Sequence, residues 1–265
     1  MRLIVNIVDA FTGTQFRGNS AAVIITHKWL TDDVMQNIAM ENNLSETAFL
    51  VKLGERYHIR WFSPITEIDF CGHATLAACS VIFTNDASLQ SIVLHANAVG
   101  DLTVTKGKGA YIEMDFPSTR PTEVKEVPQV LLDGLSSKPL KVLKNKQAYF
   151  VVYLNEQAVR DVAFDSEKIK LLAPFDVVVT APGIDSDFVS RYFWPANGGD
   201  EDPVTGSIHT GLAPYWAEIL GKKTLVAHQV SRRGGVLRCE VVGERVIISG
   251  NAVPYLTGEI HLQDR

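Results

Sequence analysis

Short apolar blocks separated by polar turns dominate the first half of the chain and predict strands. Apolar runs at residues 3–8 and 21–25 flank a polar stretch that contains Gly13, Arg17, Gly18 and Asn19. This pattern predicts two strands joined by a structured loop. The same pattern predicts further strands at residues 47–51, 57–62, 91–96, 102–105 and 110–114.

Two segments of the first half have the pattern of helices. Thr31 followed by Asp32 and Asp33 predicts a helix start with acidic residues in the first turn, and the helix should end near residues 42–43. Residues 72–83 have helical length and are rich in Ala, with apolar residues on every side. A helix of that composition is normally buried.

A break in the pattern at residues 117–121, with two prolines and little apolar content, is the best linker candidate. Beyond it we predict a short helix near Val130, strands at residues 148–153 and 176–179, and a last strand at residues 246–253. The linker predicts an N-terminal domain of residues 1–116 and a C-terminal domain of residues 117–265, with the option that the last strand returns to the first domain.

One short motif occurs twice. Arg-Trp-Phe-Ser-Pro at residues 60–64 is answered by Arg-Tyr-Phe-Trp-Pro at residues 191–195, a displacement of 131 residues in a chain of 265. Each copy is followed by a polar stretch, a glycine (Gly72 or Gly206) and a segment of small residues with helical pattern. The echo predicts an α+β protein of two duplicated halves related by a pseudo-twofold axis, whose equivalent helix starts face one groove.

Composition and charge narrow the function. The net charge of −5 is spread along the chain, with no block of basic and aromatic residues that could follow a phosphate backbone, so nucleic acid is not an expected partner. The sequence has no apolar run long enough to span a membrane and no signal peptide pattern at its start, which favours a cytoplasmic protein. Three cysteines without a C-x-x-C pair suggest neither a disulfide framework nor a metal site.

Two helix starts are candidates for anion binding. The first backbone N–H groups of a helix have no partner within it, and glycine at Gly72 and Gly206 would let a ligand approach them closely. The alternative is that both glycines only turn the chain from strand to helix. His73 and Ser207 follow these glycines, where they could hydrogen-bond a ligand, or could be a satisfied buried histidine and a helix cap. A helix start disfavours imidazolium, so we expect a neutral His73.

Two acids are candidates for proton transfer. Glu46 directly precedes an apolar strand, where glutamate is a poor fit, although it could be a solvated loop acid. Asp202 lies before Pro203 at the mouth of the second helix, where the positive end of the helix favours an acid. For the neighbouring Asp200 and Glu201 a solvated position is the better interpretation.

Four motifs in series carry a resemblance to a known family. Val-Asp-Ala-Phe at residues 8–11 with Arg-Gly-Asn-Ser at 17–20, Ser-Glu-Thr-Ala-Phe at 45–49, Phe-Cys-Gly-His-Ala-Thr at 70–75, and Glu-Asp-Pro-Val-Thr-Gly-Ser at 201–207 resemble the PhzF-like isomerases in order and spacing. The resemblance covers essentially the whole chain. It implies the diaminopimelate-epimerase fold, two α/β domains that are each a curled, barrel-like sheet around a central helix, with the active site between them.

The resemblance also implies roles for single residues. Glu46 matches the glutamate that moves a proton between two carbons, and His73, Asp202 and Ser207 match the other catalytic positions. Asn19, Gly72 and Gly206 are implied to bind a small carboxylate substrate. No cofactor and no metal are expected, and a homodimer is. The resemblance does not fix the substrate.

Two other hypotheses stay open at this point. The first is a cysteine-type racemase or epimerase, in which two thiols face the substrate and Cys71 is one of them, although no cysteine lies near Gly206. The second is a binding protein that keeps the fold without catalysis. It is disfavoured because Glu46, His73, Asp202 and Ser207 are all present.

Overall fold

A computed structural model describes residues 1–263, and the chain divides into two compact units. Unit 1 comprises Met1–Asp115 together with the chain from Ser249 onward, and unit 2 comprises Phe116–Ile248. The C-terminal strand therefore lies in unit 1, where it pairs with the first strand of the chain. No helix within residues 1–263 is long and apolar enough to cross a membrane.

Unit 1 is a mixed sheet with two helices. Its elements are β1 (Arg2–Ala10), β2 (Asn19–Thr26), α1 (Asp32–Asn42), β3 (Glu46–Leu53), β4 (Arg56–Phe62), β5 (Glu67–Ile68), α2 (Gly72–Asn85), β6 (Ser91–Ala96), β7 (Gly100–Lys106) and β8 (Ile112–Pro117). Strand β2 pairs in parallel with β3, and β4 in parallel with β6. The pairs β1–β2, β3–β4, β4–β5, β6–β7 and β7–β8 are antiparallel.

Helix α2 is the centre of unit 1. Eleven of its residues are buried, and it packs against β1, β2 and β3. Its alanines allow close approach to the sheet, while Leu76 and Ile82 are almost fully buried. Truncating either of these two to alanine would cost about 2–5 kcal/mol. The apolar composition of this segment is thus the reason that the helix lies inside the unit.

Unit 2 contains β9 (Thr122–Glu123), α3 (Gln129–Asp133), β10 (Lys141–Lys144), β11 (Ala148–Val152), α4 (Glu156–Asp161), α5 (Ser166–Ile169) with a 3₁₀ turn (Lys170–Leu172), β12 (Asp176–Pro182), β13 (Phe188–Trp194), β14 (Gly199–Asp202), α6 (His209–Leu220), β15 (Thr224–Gln229) and β16 (Gly235–Val242). Strand β11 pairs in parallel with β12, and β13 in parallel with β15. Valines of β11, β12 and β13 pack into one core with aliphatic residues of α4 and α5.

The two units repeat one topology. In each, a strand pairs in parallel with the next long strand (β2–β3, β11–β12), an antiparallel hairpin and a short antiparallel strand follow (β4 and β5, β13 and β14), and a helix leads to a strand parallel to the hairpin (β6, β15). The fold is of the diaminopimelate epimerase-like class, as the sequence predicts.

The repeated Arg-x-Phe motif has the same structural task in both units. Arg60 binds both carboxylate oxygens of Glu67 at 2.7 and 2.5 Å, and its guanidinium carbon lies 5.1 Å from the centre of the Phe62 ring. Arg191 binds both oxygens of Glu201 at 2.8 and 3.0 Å, and lies 5.0 Å from the Phe193 ring. Such two-point charged hydrogen bonds fix the short strand against the hairpin.

The structure departs from the sequence predictions at two places. The predicted last strand at residues 246–253 is wrong, because β17 (Arg245–Gly250) ends before Asn251 and a separate β18 (Ala252–His261) follows. Gly250 packs so closely on Phe11 that a Cβ atom would lie 2.4 Å from its ring. The helix expected directly after Gly206 begins only at His209, because residues 206–208 form a tighter turn with bonds from His209 N to Gly206 O and from Thr210 N to Ser207 O.

Candidate active site

Strand pairing places Asn19 and Glu46 at one end of the unit 1 sheet. Asn19 is the first residue of β2, Glu46 is the first residue of β3, and the parallel register sets Glu46 opposite Ala21. Helix α1 ends at Asn42, and Asn43 takes the left-handed conformation that turns the chain back into β3. Glu46 is only 5% exposed, so the solvated loop alternative does not hold.

Glu46 faces His73, the second residue of α2. His73 Nε2 lies 3.0 Å from Glu46 Oε2, which is an ion-pair distance. The two atoms are not aligned for a hydrogen bond, and within the described residues Oε2 accepts none. On the other side of the ring, Asn19 Nδ2 lies 3.2 Å from His73 Nδ1, and Ser45 Oγ donates to Asn19 Oδ1 at 3.1 Å. A buried carboxylate oxygen and a histidine thus stand side by side.

The pKa of His73 is shifted against the direction that the sequence suggests. Burial lowers the pKa of His73, but the adjacent Cys71 and Glu46 side chains outweigh burial and raise this pKa well above its ordinary value. A carboxylate at 3.0 Å is a stronger influence than the partial charge of a helix start. The pKa of His73 is therefore shifted in the direction opposite to the one that its place at a helix start suggests.

Cys71 is the third polar side chain of this cluster. It precedes α2 in an extended conformation, and its Sγ lies 3.4 Å from His73 Nδ1. Burial, followed by the charge of Glu46, raises the pKa of the Cys71 thiol to about 11. At neutral pH the side chain is a thiol, which is a weak nucleophile and a weak base.

Glu46, Cys71 and His73 each offer a ligand atom, and these atoms lie within 4.8 Å of one another. The cysteine pattern of the sequence suggests no metal site, but the turn from extended chain into α2 brings Cys71 and His73 beside Glu46. A metal held there would have to displace the thiol proton, because metals bind the thiolate. The three side chains could hold a metal, and they could equally move a proton.

Asp202, Gly206 and Ser207 lie in unit 2, at the approach to α6. Asp202 is the last residue of β14 and is partly buried, and Thr205 Oγ1 donates to its carboxylate in a short hydrogen bond. Gln229 fixes the backbone of this turn, since its Nε2 donates to Asp202 O at 2.8 Å and its Oε1 accepts from Thr205 N at 2.9 Å. One side chain therefore fixes the backbone between Asp202 and Thr205.

Ser207 is held by a side chain that the sequence gives no reason to select. Gln147 Nε2 donates to Ser207 Oγ at 2.9 Å and to the Tyr192 hydroxyl at 3.0 Å. Tyr192 in turn donates to Asp176 at 2.5 Å. The chain from Asp176 to Ser207 spans residues far apart in sequence, so no local motif could have predicted it.

The predicted site residues thus form two groups. The structure brings Asn19, Glu46, Gly72 and His73 together in unit 1, with Ser45 and Cys71 as members that the motifs contain but the site prediction omits. Asp202, Gly206 and Ser207 form the second group, in unit 2.

Comparison with known proteins gives one consistent result. The family model for phenazine biosynthesis-like proteins (PhzC-PhzF) matches residues 8–258. An uncharacterized isomerase of Pseudomonas aeruginosa is 46% identical over 262 residues, which cover 99% of this chain and 100% of that protein.

Solved structures agree with the sequence comparison. The crystal structure of a phenazine biosynthesis protein PhzF family member from Enterococcus faecalis is similar with a TM-score of 0.93 and 44% identity, covering 99% of this chain and 100% of that one. A probable proline racemase from Agrobacterium radiobacter shares the fold alone, with a TM-score of 0.62 and 11% identity, covering 98% and 93% of the two chains.

Proposed function

Because this chain belongs to the PhzC-PhzF family of phenazine biosynthesis-like proteins and is an isomerase, we propose that it moves a proton between carbons of a small carboxylate substrate with Glu46 as the base. The observation that carries the proposal is the buried pair of Glu46 and His73, 3.0 Å apart. General acid–base catalysis of this kind contributes about 10²–10⁴ in rate.

The charge arrangement supports this role for Glu46. Its Oε2 is buried, accepts no hydrogen bond within residues 1–263, and is available to take a proton from carbon. The Asn19 amide nitrogen can only donate to His73 Nδ1, so the ring carries its proton on Nε2, the nitrogen that faces Glu46. The proton that Glu46 takes from one carbon is returned to another carbon of the same substrate, so atoms and charge balance without a redox partner.

The polar residues at the approach to α6 in unit 2 are proposed to have a role in substrate binding. Asp202 is a second acid that positions or relays protons, and Ser207 binds an oxygen of the substrate. The N–H groups of Gly72 and Gly206 precede the hydrogen-bonded turns of α2 and α6, where an anion is favoured. Each is proposed to bind a carboxylate group, and Asn19 keeps His73 in place.

A cysteine-type racemase is the weaker hypothesis. Two-base racemisation needs a cysteine in each half, one as the thiolate that takes the proton and the other as the thiol that gives one, and the pKa of Cys71 is raised to about 11. By the repeat that aligns Gly72 with Gly206, the residue matching Cys71 is Thr205. Cys79 and Cys239 are buried in apolar surroundings, where burial raises the pKa of each thiol. Burial thus disfavours a thiolate at each of the three cysteines.

The proposal is tested by incubating the protein in D₂O with a panel of small carboxylic acids. We expect the native protein to introduce deuterium at a carbon of at least one of them, and Glu46→Gln, which keeps the shape of the side chain, to introduce none. Glu41→Gln, the same change at an exposed glutamate on α1, serves as the matched control and should label normally. Labelling by Glu46→Gln at the native rate would refute the proposal.

A further inference from the structure

The repeat identifies an acid in unit 2 that corresponds to Glu46. In unit 1 the antiparallel register sets Thr47 opposite Phe62, and in unit 2 it sets Val177 opposite Phe193, the matching phenylalanine of the repeated motif. Glu46 and Asp176 each precede this pair by one residue, and each is the first residue of its strand. Asp176 therefore occupies the position of Glu46 in the second copy.

The two acids reach equivalent residues by different routes. Glu46 lies directly beside His73, the residue after Gly72. Asp176 reaches Ser207, the residue after Gly206, only through two interposed side chains, the Tyr192 hydroxyl and the Gln147 amide. In the second copy an acid therefore occupies the same strand position, but two side chains lie between it and the residue that follows the glycine.

The hydrogen bonds that connect Asp176 with Ser207 have a fixed direction. Asn197 Nδ2 donates to Asp176 Oδ1 at 2.8 Å, and Tyr192 donates to Oδ2. With its proton committed to Asp176, the Tyr192 oxygen can only accept from Gln147, so the Gln147 nitrogen faces both Tyr192 and Ser207. Turning the amide over would leave its oxygen against a tyrosine oxygen that has no second proton.

Ser207 must then accept from Gln147, which leaves its own O–H proton directed elsewhere. We propose that Asp176, Tyr192 and Gln147 are positioning residues that fix the Ser207 hydroxyl as a hydrogen-bond donor to an anionic oxygen of the substrate. This inference rests on the proposed function for the identity of that oxygen, and on the contacts within unit 2 for the direction of the bond.

The burial of Tyr192 and Asp176 supports this direction of the hydrogen bonds. Tyr192 is 3% exposed, and burial together with the charge of Asp176 raises the pKa of its hydroxyl well above the ordinary value, so that the proton stays on tyrosine. Burial also raises the pKa of Asp176, opposed by the hydrogen bonds from Tyr192 and Asn197. The backbone of Gln147 is fixed as well, since its N–H donates to Asn145 Oδ1 at 2.8 Å.

A neutron crystal structure in D₂O tests the direction without any substrate. We expect both deuterons of the Gln147 amide to point at Tyr192 and Ser207, and the Ser207 deuteron to point away from Gln147. A Ser207 deuteron directed at a Gln147 oxygen would overturn the inference, whatever the protein catalyses.

A double-mutant cycle tests whether Gln147 acts through Ser207. On a compound that the native protein labels in D₂O, Gln147→Met should raise KM about tenfold, with kcat changed less than about twofold, because a hydrogen bond to a charged group is weakened. Added to Ser207→Ala, it should cause almost no further loss. Gln157→Met, at an exposed glutamine on α4, is the matched control and should behave as native.

The outcomes separate this inference from the proposed function. Additive effects of Gln147→Met and Ser207→Ala would exclude a positioning role while leaving Glu46 as the base. Labelling that survives Glu46→Gln would instead refute the proposed function, and the neutron structure would still decide the direction of the hydrogen bond. Tyr192→Phe should reproduce the KM effect of Gln147→Met, because it removes the oxygen that anchors the amide.

Discussion

His209 makes the stability of unit 2 sensitive to acid. The side chain is fully buried at the start of α6, and its Nδ1 donates to Thr205 O at 2.8 Å. Its Nε2 has no hydrogen-bond partner within the described residues. Protonation would place a charge in the core with an unpartnered N–H at Nε2, and burial therefore lowers the pKa of His209 to about 4, opposed by the bond to Thr205.

The size and sign of the effect follow from that pKa. The folded state favours the neutral imidazole of His209. The contribution of this imidazole to stability is complete above the unfolded pKa of about 6.5 and is lost as pH falls towards about 4. At about 1.4 kcal/mol for each pKa unit, the loss amounts to about 3 kcal/mol. Acid should thus weaken unit 2 before most carboxylates titrate.

Unit 1 suggests the variant that tests this reasoning. Thr75 occupies the matching position, three residues after Gly72, and its Oγ1 donates to Cys71 O at 2.6 Å. His209→Thr should keep the hydrogen bond to Thr205 but remove the titrating ring. We expect it to be about 2 kcal/mol less stable than the native protein at pH 7.5, because it leaves a small cavity.

Urea denaturation from pH 7.5 to pH 4 measures the difference in the free energy of unfolding between the two proteins. Hydrogen exchange of the α6 amides assigns the transition to unit 2. The gap between native protein and His209→Thr should close and then reverse, by about 3 kcal/mol in total. His27→Thr, at an exposed histidine, should follow the native curve. A gap that stays constant over this pH range would refute the argument.

Three further predictions concern single contacts. Gly18→Ala should unfold the loop before Asn19, because Gly18 has φ +66° and a Cβ there would lie 2.1 Å from Ala10 O. The control Gly54→Ala, at φ +63° in open space, should cost only about 1–2 kcal/mol. Thermal unfolding compares the two variants, and equal losses of stability would contradict this prediction. Arg191→Lys should destabilise unit 2 by about 2 kcal/mol, because lysine cannot replace both the two-point bond to Glu201 and the bond to Val162 O. Urea denaturation measures the loss, and an unchanged unfolding midpoint would contradict the prediction. Cys71 should react with iodoacetamide at pH 8 at least tenfold more slowly than a free thiol, since it is buried with a pKa of about 11, and rapid labelling would show an accessible thiolate.

Much of the fold can be predicted from the sequence, because its signals are local. The apolar composition of residues 72–83 predicts a buried helix, and α2 is one. The repeated Arg-x-Phe motif marks the same hairpin in both units, since each arginine is tied to a glutamate of the next strand. The buried position of Glu46 follows less directly, from its place at the start of an apolar strand.

The rest of the site depends on contacts between distant residues. Gln147 reaches Ser207 across 60 residues, and no pattern near either residue predicts the contact. The match between Glu46 and Asp176 is also hidden. Arg60 lies 14 positions after Glu46 but Arg191 lies 15 positions after Asp176, so the two copies align only through their strand pairing. Burial lowers the pKa of His73, but Cys71 and, from across the fold, Glu46 raise it above its ordinary value.

The most direct test of Glu46 as the base compares three proteins on one labelled carboxylate. Solvent deuterium incorporation is measured under identical conditions with the native protein, Glu46→Gln and Cys71→Ala. If Glu46 is the base, Glu46→Gln should lower the rate at least about 100-fold, the lower end expected for general base catalysis, while Cys71→Ala stays near the native rate. Exchange that survives Glu46→Gln but is abolished by Cys71→Ala would contradict this role and assign the chemistry to the thiol.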